Sequence, residues 1–338
     1  MRQRTWILTL LCVAMCFSFL PLSVGALTIK VGTLAPVGSP WEIGLRRVAA
    51  DWDKLSGGTV TLRIYAGGIA GDEPDMVRKM RIGTLDAAGI TVSGLNGIFK
   101  GFKTLSYPLF VRNDAELSYV LDHMKPSFEQ ELEKRGFHAA MWSPGGWVYL
   151  FSRKPVIFPQ DLKSQKLWVW SDDADEIHAY QAAGFQTVSL AVTDLMTSLQ
   201  GGMIDALVTS PLLAASNQWF GIVRNMSTVK LGPLWGAVII SDKMWSKVPA
   251  DLQPKLLEAA QRVSDSLAPD LAQADDQAID IMKKYGLTIN KAPPKAEAEW
   301  ADILDKTFTG LIGTTYDKQS FAMATKYLNE YLASHPRP

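Results

Sequence analysis

Segments with strand-like and helix-like patterns alternate along most of this chain, and that order limits the fold more than any other feature. "LTIKVGT" alternates apolar and polar residues, and residues 41–55 then carry apolar side chains three or four positions apart. "TVTLRIY", "EPDMVRKMRIG" and "LDAAGIT" continue as strand, helix and strand. The alternation extends to "MIDALVTS". It predicts an α/β fold in which helices cover both faces of a parallel sheet.

The last third of the chain predicts one long helix. Between residues 251 and 285 the apolar positions are three or four apart, and they include Leu256, Val263 and Met282. At about 1.5 Å per residue this helix is about 50 Å long. That exceeds what one lobe needs, so we expect the helix to brace two. Pro269 is expected to kink it, because proline removes a backbone donor.

The first 26 residues predict a cleavable secretory signal. Two arginines precede an apolar run that is short for a membrane span, and small residues follow up to Ala26. We therefore expect residues 1–26 to be a signal peptide and the mature protein to be periplasmic. Both cysteines, Cys12 and Cys16, lie in this segment. Thiol chemistry and disulfides are therefore excluded for the mature chain.

Charge and motif content argue against catalysis, metal binding and nucleic-acid recognition. The chain has 34 basic and 34 acidic residues, without the clustered positive charge of a nucleic-acid surface. Its four histidines are isolated, so no metal-ligand spacing occurs. The glycine-rich "GGIAGDE" lacks the lysine of a phosphate loop. We predict no catalytic residue, metal or cofactor; the alternative from another class is a periplasmic enzyme or a scaffold without ligand.

The tryptophans are the most informative side chains. The chain has 11 of them, and "KLWVW" places Leu167 and Val169 on one face of a strand and Trp168 and Trp170 on the other. Ligands of open parallel sheets bind beyond the C-terminal ends of strands, where these two rings are expected. Large aromatic residues also build cores. Both interpretations, pocket wall and core packing, remain open from the sequence.

Four stretches, in this order and spacing, resemble the periplasmic solute-binding proteins of tripartite ATP-independent periplasmic (TRAP) transporters, the DctP-like family. They are "YAGGIAGDEPDMVRKMRIGTLDAAGITVSGL", "LSYPLFVRNDAELSYVLD", "GFQTVSLAVTDLMTSLQGGMIDALVTSPL" and "IISDKMWSKVPADLQPKLLEAA". The resemblance covers nearly the whole mature chain. The third stretch is the most distinctive, because a helix, a glycine and an aspartate precede a loop with a proline.

The resemblance implies a two-lobed α/β periplasmic binding protein fold, with parallel-type sheets flanked by helices and a long helix spanning both lobes. We expect lobe I to comprise residues 27–150 and 237–275, and lobe II residues 151–236 and 276–338. The ligand would lie in the cleft between them, and the lobes would close on it. The implied partners are the TRAP membrane permease subunits and, in the divergent branch that this chain resembles, a tetratricopeptide-repeat periplasmic protein.

One departure from the family pattern bears on the ligand. Most members clamp an organic acid with an arginine in a K-x-R-V strand, and the matching segment here is "KLWVW", with Trp168 in that place. A second cationic position of the family falls on Trp147, and an asparagine position falls on Ser210. Arginine binds carboxylates through a planar fork, and an unpaired buried carboxylate costs several kcal/mol. We therefore predict an apolar or amphipathic ligand in a cleft lined by indole rings.

The residues predicted to contact the ligand come from both lobes. They are Trp41, Glu73, Ser93, Trp142, Trp147, Trp168, Trp170, Val192, Ser210 and Trp235. For Glu73 the alternative is a charge that steadies the first turn of a helix. If the ligand is an organic acid instead, Arg153 is the candidate cation, with Lys166 as another. The alternative role of Arg153 is an ion pair between the lobes or at the hinge.

Overall fold

The computed structural model describes residues 26–170 and 174–337. The predicted signal peptide, apart from Ala26, lies outside these residues. In the described ranges, no helix has both the length and the apolar composition needed to span a bilayer. The strands form one large mixed sheet in two parts, which share a long strand.

The first part of the sheet contains the strands β1 (Leu27–Thr33), β2 (Val60–Tyr65), β3 (Ala87–Thr91), β4 (Phe137–Ser152) and β9 (Gly232–Ser241). Their order is β2-β1-β3-β9-β4. Strand β1 pairs in parallel with β2 and β3, whereas β9 runs antiparallel to β3 and β4. We call this part, with the helices on it, the first half of the molecule.

The second part adds the strands β5 (Lys166–Val169), β6 (Gln186–Ser189), β7 (Ala206–Thr209), β8 (Asn225–Ser227) and β10 (Thr288–Asn290). It continues from the C-terminal end of β4 in the order β4-β7-β5-β6, while β8 pairs with β4 and β10 pairs with β8. Strand β5 pairs in parallel with β6 and β7, and β4 is antiparallel to β7 and β8. This part and its helices form the second half.

The α/β fold is confirmed, but the sheet is mixed rather than parallel. The parallel pairs are those whose strands alternate with helices, as predicted. Strands β4 and β9 depart from the pattern because they pair with each other along nearly their whole length and connect the two halves. The sequence pattern of residues 137–153, with Gly145 and Gly146 between two strand-like runs, predicts two strands separated by a bend. The structure has one 16-residue strand with register shifts between Ala139 and Met141 and between Pro144 and Gly146; the bend is a bulge.

The described residues contain twelve helices, and those predicted at residues 41–55, 73–83 and 251–285 are among them. The twelve are α1 (Pro40–Leu55), α2 (Glu73–Ile82), α3 (Val92–Asn96), α4 (Asp114–Glu133), α5 (Pro159–Leu162), α6 (Ala174–Ala182), α7 (Leu195–Gln200), α8 (Pro211–Ser216), α9 (Asp242–Trp245), α10 (Gln253–Lys284), α11 (Pro294–Phe308) and α12 (Lys318–Ser334). Short 3-10 turns cover Lys100–Ser106, Val192–Asp194, Trp219–Gly221 and Thr309–Leu311.

The long helix predicted from periodicity is α10, and it serves both halves. Leu256 and Val263 near its start pack in a core of the first half, and Ala278 and Met282 near its end pack in a core of the second. The helix continues through Pro269 without interruption. The residue limits proposed above for the two lobes remain a prediction.

Each half has cores on both faces of its sheet. In β9, Ala237 and Ile239 belong to one core and Val238 and Ile240 to another, as alternation along a strand requires. In β5, Leu167 and Trp168 likewise enter different cores. The predicted alternation of "KLWVW" is therefore confirmed. It leaves Trp168 and Trp170 on the same side.

Candidate functional site

A cavity of about 470 Å³ lies between the two halves, beyond the C-terminal ends of β1, β3, β5 and β7. This size falls within the range of about 300–1,000 Å³ typical of small-molecule sites. Ile90 lines it from the first half, Leu213 from the second, and Val148 from the long shared strand. Among the described residues that line it there is no lysine, arginine or histidine. Most of the wall is apolar.

Trp168 and Trp170 form one side of the cavity. Their ring centroids are 5.9 Å apart with planes inclined by 29°, so the two indoles stack. Trp168 is 6% exposed, and its Nε1 donates to the carbonyl oxygen of Leu190 at 2.9 Å. This bond satisfies the polar edge of the ring. The part of the ring that lines the cavity is apolar.

Asp72 connects the two halves at the edge of the cavity. It is the N-cap of α2, and its Oδ1 accepts a hydrogen bond from the backbone N–H of Glu73 at 2.9 Å. Its Oδ2 accepts from Trp170 Nε1 at 3.3 Å and from the backbone N–H of Val192 at 3.2 Å. One carboxylate in the first half therefore holds an indole and a backbone amide of the second half.

Three further tryptophans line the cavity: Trp41, Trp219 and Trp235. Trp41 Nε1 donates to the carbonyl oxygen of Pro144 at 3.4 Å, and Trp235 Nε1 donates to Ser106 Oγ at 3.2 Å. Indoles therefore contribute to the wall from both halves. The prediction named two of these three rings and omitted Trp219.

Glu73 is the one ionisable residue among the described residues of the cavity wall. Its carboxylate accepts hydrogen bonds from Thr91 N and Oγ1, both at 2.9 Å, and from Gly94 N at 2.8 Å. Burial nevertheless raises the pKa of Glu73 to about 7, with Asp72 adding to the rise. Because Glu73 is also the first residue of α2, its location agrees with both predicted roles.

Neither candidate cation reaches the cavity. Arg153 Nε lies 3.3 Å from Asp205 Oδ1, and its Nη2 donates to the carbonyl oxygen of Leu199. Lys166 Nζ donates to the carbonyl oxygen of Gly202. The structure therefore gives Arg153 an ion pair within the second half, rather than a place at the cavity wall or between lobes.

Six of the ten predicted contact residues line the cavity, and four do not. The six are Trp41, Glu73, Trp168, Trp170, Val192 and Trp235. Ser93 lies beside the cavity, where its Oγ donates to the carbonyl oxygen of Trp170 at 3.4 Å. Ser210 is fully buried as the N-cap of α8, and its Oγ accepts from Leu213 N. Its hydroxyl is thus occupied with the helix. Ligand contact by the six remains a prediction.

Trp142 and Trp147 face away from the cavity, which corrects their predicted placement. Met141 and Ser143 line it, so alternation turns Trp142 to the opposite face, where its Nε1 donates to Glu129 Oε1 at 3.2 Å. The bulge before Gly146 shifts the alternation, so that Val148 lines the cavity. Trp147 Nε1 instead donates to Asp114 Oδ1 at 2.8 Å.

Sequence reasoning missed four polar wall residues of the second half and the bridging role of Asp72. The four are Thr193, Thr209, Asn217 and Trp219. Thr209 ends β7, at the strand edge where sites are expected, so strand position was a usable signal. Asn217 and Trp219 follow the short helix α8. No pattern in the sequence shows that this segment returns to the cavity.

Solved structures with the same fold include proteins that hold small acids. One is a TRAP periplasmic solute-binding protein from Desulfovibrio salexigens with bound orotic acid, with a TM-score of 0.84 at 20% identity over 91% of this chain and 99% of that one. Another, from Sulfurospirillum deleyianum with bound succinate, has a TM-score of 0.81 at 20% identity over 90% and 99% of the two chains. At these identities the similarity establishes the fold alone.

Sequence comparison identifies the family. A solute-binding protein of Albidiferax ferrireducens is 26% identical over 271 residues, 78% of each chain. The C4-dicarboxylate-binding periplasmic protein DctP of Rhodobacter capsulatus is 20% identical over 293 residues, 84% of this chain and 87% of that protein. The DctP family profile, described as bacterial extracellular solute-binding protein, family 7, matches residues 31–311. Members of this family are binding proteins of transporters, not enzymes. The chain belongs to the DctP family of solute-binding proteins.

Proposed function

We propose that this protein captures an apolar or amphipathic molecule without a carboxylate and delivers it to a TRAP-type membrane permease. The observation that carries the proposal is the composition of the cavity wall. Five indoles line the cavity, from Trp41, Trp168, Trp170, Trp219 and Trp235, and its described wall has no cation.

The electrostatics of the wall disfavour an anion. A carboxylate buried there would lose its hydration without gaining an ion pair, at a cost of several kcal/mol. Glu73 adds to this cost whenever it is ionised. Flat, desolvated aromatic surfaces instead gain free energy by covering apolar ligand surface, at roughly 25 cal/mol per Å² removed from water.

The proposal includes secretion and two partners. We propose that residues 1–26 are a cleaved signal peptide and that the mature protein works in the periplasm, as the family description "extracellular" supports. We also propose a tetratricopeptide-repeat protein as a second partner. Its support is the resemblance of the chain to the branch of the family that works with such a protein.

An organic acid is the second candidate ligand, because similar folds hold orotic acid and succinate. In this chain such a ligand would need a cation from outside the wall. Arg153 is the nearest candidate by sequence, but it would first have to leave Asp205 and the carbonyl oxygen of Leu199.

The direct test is native mass spectrometry of the purified mature protein, followed by extraction and identification of any co-purified molecule. Titrations of the extracted protein, followed by tryptophan fluorescence, would then compare neutral apolar compounds with succinate and glucuronate. The proposal predicts a response to the neutral compounds only. A co-purified acid, or saturable binding of succinate or glucuronate alone, would establish the second candidate instead.

Trp168→Arg tests the wall directly, because it introduces a guanidinium at the cavity. We expect weaker binding of neutral apolar ligands by about tenfold or more, and measurable binding of succinate. Trp168→Phe keeps an apolar ring there and controls for lost ring size, while Met203→Arg adds the same charge at a side chain that is 57% exposed. Unchanged ligand preference in a folded Trp168→Arg protein would refute the assignment of Trp168 to the pocket.

A further inference from the structure

Most polar atoms of the cavity wall already have partners within the protein. The Glu73 carboxylate accepts three hydrogen bonds. Thr33 Oγ1 accepts from Ala35 N, and Ser143 Oγ donates to the carbonyl oxygen of Pro144. The indole N–H groups of Trp41, Trp168, Trp170 and Trp235 all have acceptors. These groups have little capacity left for a ligand.

Four side chains of the second half have a polar atom without a hydrogen-bond partner among the described residues: Thr193, Thr209, Asn217 and Trp219. The last three lie close together in the chain, at and just after the end of β7. Thr209 and Trp219 are each 5% exposed and line the cavity. Within residues 26–170 and 174–337, neither the Thr209 hydroxyl nor the Trp219 indole N–H has a hydrogen-bond partner. Both atoms keep some solvent-accessible surface, so neither is a fully buried polar atom without a partner. A donor and a hydroxyl are therefore open at the wall.

Asn217 supplies the complementary acceptor. It caps the C-terminus of α8 and lines the same cavity. Its Nδ2 donates to the carbonyl oxygen of Leu213 at 3.0 Å, and this bond fixes the orientation of the amide. Among the described residues no donor meets its Oδ1. With Thr209 and Trp219, it forms what we call the polar triad: one acceptor, one donor and one hydroxyl that serves as either.

We propose that the polar triad binds the neutral head group of an amphipathic ligand, a hydroxyl or an amide, while the apolar body lies against the indoles. The inference rests on the proposed function and specifies its ligand. A hydroxyl or amide donates to Asn217 Oδ1 and accepts from the Trp219 N–H and from the Thr209 hydroxyl, so all three groups are satisfied. A hydrocarbon leaves them unpaired when water is displaced. A carboxylate brings no donor for Asn217 Oδ1 and meets no cation.

Four eight-carbon probes separate these possibilities: octan-1-ol, octanamide, octane and octanoate. Dissociation constants would be measured with the extracted full mature protein by tryptophan fluorescence. The polar triad predicts that octan-1-ol and octanamide bind about tenfold more tightly than octane, the factor expected for one or two neutral hydrogen bonds. Octanoate is expected to bind most weakly of the four.

Asn217→Leu and Thr209→Val keep the approximate size of each side chain and remove its polar group. Each is expected to weaken octan-1-ol binding by about fivefold and to leave octane binding unchanged or tighter. Ser216→Ala, at an exposed position of the same segment, is expected to change neither. A merely structural effect would shift both probes together, so the ratio of the two dissociation constants is the informative quantity.

The outcomes separate the two proposals. If octane and octan-1-ol bind equally well, or if the variants leave their ratio unchanged, the polar triad is refuted while the apolar site stands. If octanoate binds best, or if none of the neutral probes binds, the proposed function itself fails.

Discussion

Asp72 is the residue through which we expect closure of the two halves to affect affinity. Its carboxylate caps α2 in the first half and accepts hydrogen bonds from Trp170 and Val192 in the second. If binding requires the halves to close, these two bonds form with the ligand-bound state and break on opening. Asp72→Ala removes both. We therefore expect this variant to bind any ligand of the cavity more weakly.

The magnitude follows from the two distances. Hydrogen bonds to charged groups contribute about 1.5–3 kcal/mol each. Both bonds here are long, at 3.3 and 3.2 Å, and water replaces them when the halves separate, so we take about 0.5–1 kcal/mol each. The sum of about 1–2 kcal/mol corresponds to about 5–30-fold weaker binding. Faster dissociation should account for most of the change.

The assay needs a control, because Asp72→Ala also removes a helix cap worth about 1 kcal/mol. Asp317 is a matched N-cap: its Oδ1 accepts from Ser320 N at 2.7 Å at the start of α12, and it does not line the cavity. Both variants should lower the melting temperature. Only Asp72→Ala should raise the dissociation constant for octan-1-ol and speed its release in stopped-flow fluorescence. Equal affinities for the two variants would refute the closure role of Asp72.

Three further predictions concern Glu73, Gly94 and Arg153. The pKa of Glu73 is raised from 4.5 to about 7, so its contribution to stability is complete below about pH 4.5 and is lost as the pH rises towards 7. The unfolding free energy of the wild type relative to Glu73→Gln, measured in urea, is therefore expected to fall by about 3 kcal/mol over that range; a constant difference would contradict the assigned burial. Gly94→Ala would place a Cβ 2.9 Å from Glu73 Cβ and 3.0 Å from Ile90 Cβ, so it is expected to lower the unfolding free energy by about 1–3 kcal/mol. Gly97→Ala, whose nearest contact is at 3.4 Å, should be nearly neutral. Equal losses in the two variants would show that the close approach at Gly94 is not what stabilises the fold. Arg153→Met removes the ion pair with Asp205 and should lower the melting temperature while leaving octan-1-ol affinity unchanged. Loss of octan-1-ol binding in the folded variant would contradict the placement of Arg153 outside the cavity wall.

The periodic spacing of apolar residues predicted secondary structure more directly than any other feature of the sequence. The spacing of Leu256, Val263 and Met282 predicted α10 to within two residues at its start and one at its end. Alternation in "KLWVW" placed Leu167 and Trp168 in different cores. Both patterns are local consequences of backbone geometry, so they need no information about distant partners.

The sequence predictions were wrong where pairing between distant segments decides which way a side chain points. Strand β4 looked like two strands because Gly145 and Gly146 usually mark a turn, yet pairing with β9 holds it together. Because of the resulting bulge, the side chain of Val148 rather than that of Trp147 faces the cavity. The segment from Pro211 to Trp219 carried no periodic signal. Its return to the wall depends on the core into which Ala214 of α8 and Trp219 both pack.

Residue types and their spacing along the chain were enough to predict the family, the α/β architecture, the long bracing helix and the absence of the arginine from the K-x-R-V position. The folded chain was needed to show which indoles face the cavity, that Arg153 is held by Asp205, and that Asp72 joins the two halves. Those facts depend on strand pairing, bulges and contacts between residues far apart in the chain, and the local pattern around each residue does not encode them.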